Sequence, residues 1–230
     1  MYIIAEGLKK ALELIFTLDP EILEIVLVSL KVSLIATLLA TLIGVPFGFI
    51  IAVNEFKGKR IVTIILNTLM ALPTVVVGLT VYAFISRLGP LGSFGLLFSP
   101  SAIIIGDLIL GTPIITAFTL SAVQGLDQRI RMTAVTLGAS KSQVIMTILA
   151  EARFGVFAAI IAGFGRVIAE VGSAIMLGGN IKGYSRTITT AIALETSKGE
   201  FGFGFALGII LLTVALSINV LFHHFQRKQA

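Results

Sequence analysis

The chain has 230 residues, 57% of them hydrophobic and only 13% charged, with a mean hydropathy of +1.05, whereas soluble domains carry about a quarter charged residues. That balance excludes a soluble enzyme and describes an integral membrane protein: at ~20 apolar residues per crossing of a ~30 Å hydrocarbon layer, the length holds about five or six spans and no separate catalytic domain. The net charge of +5 is no signal for nucleic acid here, because the basic residues gather at the ends of apolar segments, and the absence of cysteine removes disulfides and thiolate metal sites.

From the N-terminus, Tyr2 to Leu18 sets Ile4, Leu8, Ala11, Leu12 and Ile15 on one helical face, with Glu6, Lys9, Lys10 and Glu13 elsewhere. This is the pattern of an amphipathic helix lying in the membrane interface. It is too charged to span, and it lacks the apolar core and small-residue cleavage site of a secretory signal. Asp19 and Pro20 read as N-cap and first helical residue, so a first span is predicted over residues 20–53. Further spans are predicted over 61–85, 102–123, 156–177 and 203–222, giving five in an all-α chain of one domain, 1–230. Pro46, Pro73 and Pro113 interrupt these apolar stretches, and the carbonyls they free need other partners. Kinks are the plain consequence. Ala71-Leu72-Pro73-Thr74 adds a hydroxyl to the break and suits a pore-lining position.

Between the third and fourth spans the loop 127–153 contains Thr133 to Arg153, TAVTLGASKSQVIMTILAEAR, a polar-faced hairpin of two short helices. Gly138 can end the first in the left-handed conformation, and Ser140 with Gln143 can form the capping box that starts the second.

Ionisable side chains within the spans come next. Arg166 and Glu170 stand four apart and share a helix face. Each costs at least ~2.5 kcal/mol at mid-membrane, so they either pair to lock the bundle or face a water-filled path. Asp107, with no local partner, could lie hydrated near the outer end of its span. Gly178-Gly179-Asn180 and Gly183 precede Ser185-Arg186-Thr187-Ile188-Thr189-Thr190, a run that opens a short outer helix ending near Lys198-Gly199. Its N–H groups, with Lys182 and Arg186 nearby, suit an oxyanion; the same run also suits N-caps with no ligand. His223 and His224 border the membrane as solvated residues rather than metal ligands. The phosphate-binding pattern G-x-x-x-x-G-K-[ST] and the metalloprotease pattern H-E-x-x-H are both missing, so neither a catalytic nor a metal site is expected.

Orientation follows from lysine and arginine. With the hairpin inside, the inner loops and tail hold Lys57, Lys59, Arg60, Arg129, Arg131, Lys141, Arg153, Arg227 and Lys228 against Glu55, Asp127 and Glu151. The opposite side holds as many acidic residues as basic ones or more. Five spans then put the N-terminus outside and the C-terminus in the cytoplasm.

The hairpin resembles the cytoplasmic loop by which permease subunits of ATP-binding-cassette (ABC) importers sit on their ATPase: Glu-Ala-Ala, three residues, Gly, nine residues, Ile-x-Leu-Pro. Gly138 and Ile148 match; Met132-Thr133-Ala134 and Ala150-Glu151 depart from it. Over nearly the whole chain, Ser29-Leu30-Lys31-Val32-Ser33, Leu72-Pro73 with Val75-Val76-Val77-Gly78, Gly165-Arg166-Val167-Ile168-Ala169-Glu170-Val171-Gly172, Gly178-Gly179-Asn180-Ile181, Arg186-Thr187-Ile188-Thr189-Thr190-Ala191-Ile192 and Leu194-Glu195-Thr196-Ser197-Lys198-Gly199-Glu200-Phe201 are similar to permeases of tungstate and molybdate ABC importers, the tungstate branch above all. That branch also tends to lack the Leu-Pro.

The resemblance implies a type I ABC importer permease fold in a prokaryotic inner membrane. It further implies a homodimer around one path, two cytoplasmic ATPase subunits that alone use ATP, and an extracytoplasmic oxyanion-binding protein. No cofactor is expected on this chain. ATPase coupling would fall on Ala134, Leu137, Gly138, Ala139 and Ser140, and the path or gate on Pro73, Arg166, Glu170, Asn180, Arg186, Thr187 and Thr190. The alternatives are a secondary transporter or channel for a small anion, which would need inverted repeats or rings of like charge, and an intramembrane enzyme using Asp107 and Glu170.

Overall fold

Helices make up almost all of the computed structural model, which describes residues 2–17 and 19–227, and no strand occurs among the described residues. The side chains of residues 2–4, 6, 128 and 221–227 lie outside it, and with them His223, His224 and Arg227; Lys228 lies outside altogether. Ten α-helices follow in order: α1 Tyr2–Phe16, α2 Pro20–Val53, α3 Lys59–Met70, α4 Thr74–Ile85, α5 Pro100–Gln124, α6 Gln128–Thr136, α7 Lys141–Ile168, α8 Gly172–Gly178, α9 Ile188–Ser197 and α10 Phe201–Arg227. By length and composition α2, α5, α7 and the Phe201–Val220 part of α10 can each cross a membrane, and α3 with α4 makes a fifth if the pair counts as one span.

The centre of the molecule is the α2–α5 seam. Asp19 starts α2 by accepting the N–H groups of Glu21 at 2.8 Å and Ile22 at 3.3 Å, with Pro20 in the first turn where its missing N–H costs nothing. The two helices run parallel in one constant register: Val32 packs with Ile103, Ala40 faces Gly111, Gly44 meets Ile115 and Gly48 meets Thr116 and Thr119. A Cβ on Gly48 would lie 2.5 Å from the Thr116 carbonyl oxygen. Small residues let the backbones approach where apolar burial alone supplies no drive between helices in lipid. α5 is the most enclosed of the long helices.

Three expectations need correction. The first concerns the span predicted over 61–85, which is two helices bent by 94°. Pro73 disfavours helical backbone at Leu72 and offers no N–H, so α3 closes with a tight bond from the Ala71 N–H to the Thr68 carbonyl at 3.1 Å, and Pro73 becomes the cap of α4. The second concerns the hairpin and the span predicted over 156–177. The second hairpin helix does not stop: α7 runs unbroken for 28 residues from Lys141 to Ile168, the chain leaves the helix at Ala169–Val171, and α8 follows as a separate short helix. The third concerns α1, which packs along α10. Gly7 sits on the Phe205 ring, Gly202 on the Lys10 stem, Ala11 is fully buried, and Lys10 pairs with Glu200 at 3.0 Å. Of the expected apolar face, Ala11 and Ile15 turn towards the bundle while Leu8 and Leu12 remain exposed.

Candidate functional site

The two broken helices meet at their breaks. A Cβ on Gly172, the first residue of α8, would lie 2.8 Å from Thr74 Oγ1 at the start of α4, and one on Gly78 would lie 2.9 Å from the Ser173 Cα. The elbow at Pro73 and the gap at residues 169–171 thus form one irregular patch between otherwise regular helices. Backbone groups released there must find partners inside the protein. Glu170 supplies several of them. Its N–H donates to the Val167 carbonyl at 3.0 Å, its Oε1 accepts the Ser173 N–H at 3.0 Å, and its carbonyl accepts the Thr189 hydroxyl at 2.5 Å. Its Oε2 accepts from Arg166 Nη1 at 2.7 Å.

Arg166 and Glu170 are therefore paired, although not on one helix, since Glu170 lies past the end of α7. The partners differ in setting. Glu170 is 4% exposed, while the Arg166 side chain is 35% exposed. A Cβ on the neighbouring Gly165 would meet nothing within 4 Å.

The start of α9 is a closed corner. Thr187 and Thr190 form a capping box, with the Thr187 N–H reaching Thr190 Oγ1 at 3.0 Å and the Thr190 N–H reaching Thr187 Oγ1 at 3.4 Å. The Ile188 N–H donates to Ser29 Oγ on α2 at 2.6 Å. Asn180, held at a φ of 51°, donates to the Thr190 carbonyl at 3.2 Å and accepts the Thr190 hydroxyl at 2.9 Å. Lys182 and Arg186 both bind Glu21, at 2.6 and 3.2 Å, and Arg186 also lies 3.8 Å from Glu195. Asn180, Arg186, Thr187 and Thr190 are thus brought together, with Lys182 and the Arg186 Nη1 engaged by acidic side chains while the buried Arg186 Nε has no partner.

Asp107 differs from expectation. It is not hydrated: about two turns into α5 it is 2% exposed, and its Oδ1 has no hydrogen-bond partner. Sequence reasoning gave no site role to Ser29, Ser33 and Thr37, all buried on one face of α2. A readable signal existed, since hydroxyls recurring every four residues in an apolar helix mark a face turned to protein rather than lipid.

On the side of α6 the hairpin has the geometry its residues require. Gly138 has a φ of 80°, the Ala139 N–H closes on the Ala134 carbonyl at 3.0 Å, and Ser140 with Gln143 makes both bonds of a capping box. Leu137 is 82% exposed beside them. A concavity of about 710 Å³ opens here, lined by Ala134, Leu137, Gly138, Ala139 and Gln143 among others. A neighbouring one of about 840 Å³ lies between the Ala52–Lys59 corner and α6. The turn thus displays an apolar side chain beside two hollows.

Comparison with known proteins agrees with this arrangement. Residues 44–230 match the family described as binding-protein-dependent transport system inner membrane component. The chain is 38% identical over 228 residues to the tungstate uptake system permease protein TupB of Peptoclostridium acidaminophilum, covering 99% of this chain and 100% of that one. It is 42% identical to TupB of Campylobacter jejuni subsp. jejuni serotype O:2, covering 97% and 94%. Its fold matches an inward-facing conformation of the MetNI methionine ABC transporter with a TM-score of 0.76 at 16% identity, covering 93% of this chain and 98% of the other. Irregular helix breaks within the bundle, an exposed docking hairpin and sequence identity along nearly the full length all lead to one assignment: this chain belongs to the family of binding-protein-dependent transport system inner membrane components, the permease subunits of ABC importers.

Proposed function

We propose that this chain forms the membrane path of an ATP-driven importer for tungstate or a closely similar tetrahedral oxyanion such as molybdate. Two copies would enclose the path, two ATPase subunits would dock on the cytoplasmic hairpins, and a binding protein would deliver the anion from outside. The N-terminus would then be outside and the C-terminus in the cytoplasm. The observation that carries the substrate is the identity of 38% and 42% to tungstate uptake permeases over nearly the whole chain.

The route of coupling follows from α7. Ala134, Leu137, Gly138, Ala139 and Ser140 would contact the ATPase, and Ser140 caps a helix that continues for 28 residues, about 42 Å at 1.5 Å per residue, to the Arg166–Glu170 pair. A displacement at the hairpin moves the far end of a rod. There it acts on the joint between α7 and α8, against the elbow at Pro73, which would serve as the gate. Arg166, half-turned to open space, would offset the charge of a passing oxyanion where low dielectric makes charge compensation worth most. Asn180, Arg186, Thr187 and Thr190 would anchor the outer end of that gate through α9 rather than bind the anion themselves.

The test is tungstate accumulation in cells lacking this chain and in cells with it restored. Accumulation restored by the wild type and competed by molybdate supports the reading; restoration of an unrelated solute's uptake with no effect on tungstate refutes the substrate.

A further inference from the structure

We propose that Asp107 is a second seat for the Arg166 guanidinium, occupied when the joint between α7 and α8 rearranges during transport; this rests on the ATP-driven cycle proposed above. Asp107 lies at the depth of that joint. On α5, Gly106 faces Ser173 and Leu177 of α8, and Gly111 faces Val167 of α7, so Asp107 lies on the stretch of α5 that passes from one helix to the other. Its Oδ1 has no partner, and Ser173 Oγ on α8 and Thr37 Oγ1 on α2 are likewise buried and unpartnered. Two buried acidic side chains thus flank the joint, and Arg166 pairs with Glu170 alone. An isolated buried carboxylate is strongly unfavourable, so a protein that alternates between states gains by giving Asp107 a partner in one of them.

Arg166 is able to change partners. Its guanidinium has five N–H donors, of which Nη1 serves Glu170. It is partly exposed, and open space adjoins Gly165. Glu170, in contrast, is fixed: the Ser173 N–H holds its Oε1 and Thr189 holds its carbonyl. When Arg166 leaves, Glu170 keeps a donor. Asp107 is thus a positioning residue of the gate, acting through Arg166.

The experiment uses the complex with its ATPase, nucleotide-free and trapped with ATP and vanadate. Asp107→Asn should leave the melting temperature of the nucleotide-free complex unchanged or raised, lower that of the trapped complex by at least about 2–4 °C, and slow uptake about tenfold while ATP hydrolysis persists. Glu170→Gln should show the opposite preference. Equal shifts in both states, or wild-type uptake with no shift, overturn the proposal. If Asp107→Asn does not assemble, electron cryomicroscopy of the trapped wild-type complex decides: Arg166 within 4 Å of Asp107 supports the exchange, and Arg166 still on Glu170 in both states ends it. A wild-type chain that binds no ATPase would instead remove the transport reading itself.

Discussion

Arg166 and Glu170 hold the two halves of a broken helix together at 2.7 Å, and single substitutions confuse that duty with any role towards the anion. Removing the guanidinium alone leaves a carboxylate that is 4% exposed with only the Ser173 N–H as donor, at a cost of ~3–5 kcal/mol. The double variant Arg166→Gln, Glu170→Gln strands no charge and keeps an acceptor for the Ser173 N–H. It should insert and assemble, hydrolyse ATP, and move tungstate at least about tenfold more slowly; uptake at the wild-type rate in vesicles would restrict Arg166 to a structural part. Gly138 raises a separate question. Its φ of 80° disfavours any side chain by ~1 kcal/mol or more, yet a Cβ there meets nothing within 4 Å. Gly138→Leu should therefore insert normally and lose ATPase binding, checked by co-purification. The turn at Gly138 and the cap at Ser140 were legible because glycine and Ser-x-x-Gln act locally. The burial of Asp107 was not, since it depends on α2 and α8, distant in sequence.

Among the elements, α2 and α5 carry the closest packing and α7 and α8 the most consequential gap. A Cβ on Gly48 would lie 2.5 Å from the Thr116 carbonyl oxygen and 2.9 Å from the Thr119 Cβ, and backbone on both sides leaves nothing flexible to yield. Gly48→Ala should destabilise the chain by ~1–3 kcal/mol, read as a lower melting temperature in detergent, whereas Gly208→Ala, with open space around it, should be close to neutral. The long helices could be read from apolar runs and, for α2, from Asp19-Pro20. Pro73 announced a disturbance but not its size, because a proline kinks one helix and breaks another according to what receives the freed groups. The gap at residues 169–171 has no proline at all. It exists because Glu170 caps Ser173 from within and Thr189 binds its carbonyl from 19 residues away, and no local pattern announces that. The packing of α1 on α10 was hidden for the same reason, since Gly7 and Gly202 permit a helix contact that hydrophobic spacing does not encode.

For the whole molecule, the account joins a docking hairpin at one end to a charged joint at the other by a single unbroken helix. Orientation is open to direct measurement because the chain has no cysteine. Lys57→Cys and Lys182→Cys, both at exposed positions, should respond oppositely to an impermeant thiol reagent in intact cells, with only Lys182→Cys labelled; labelling of Lys57→Cys alone would invert the topology. The central claim is that this chain moves an oxyanion using energy received through the hairpin. Its most direct test is tungstate uptake into vesicles holding this chain with its co-purified ATPase, the binding protein being supplied on the outer face and ATP on the ATPase side. The account predicts uptake that needs all of these together and is lost with Gly138→Leu; uptake that proceeds equally without ATP or without the ATPase would contradict it.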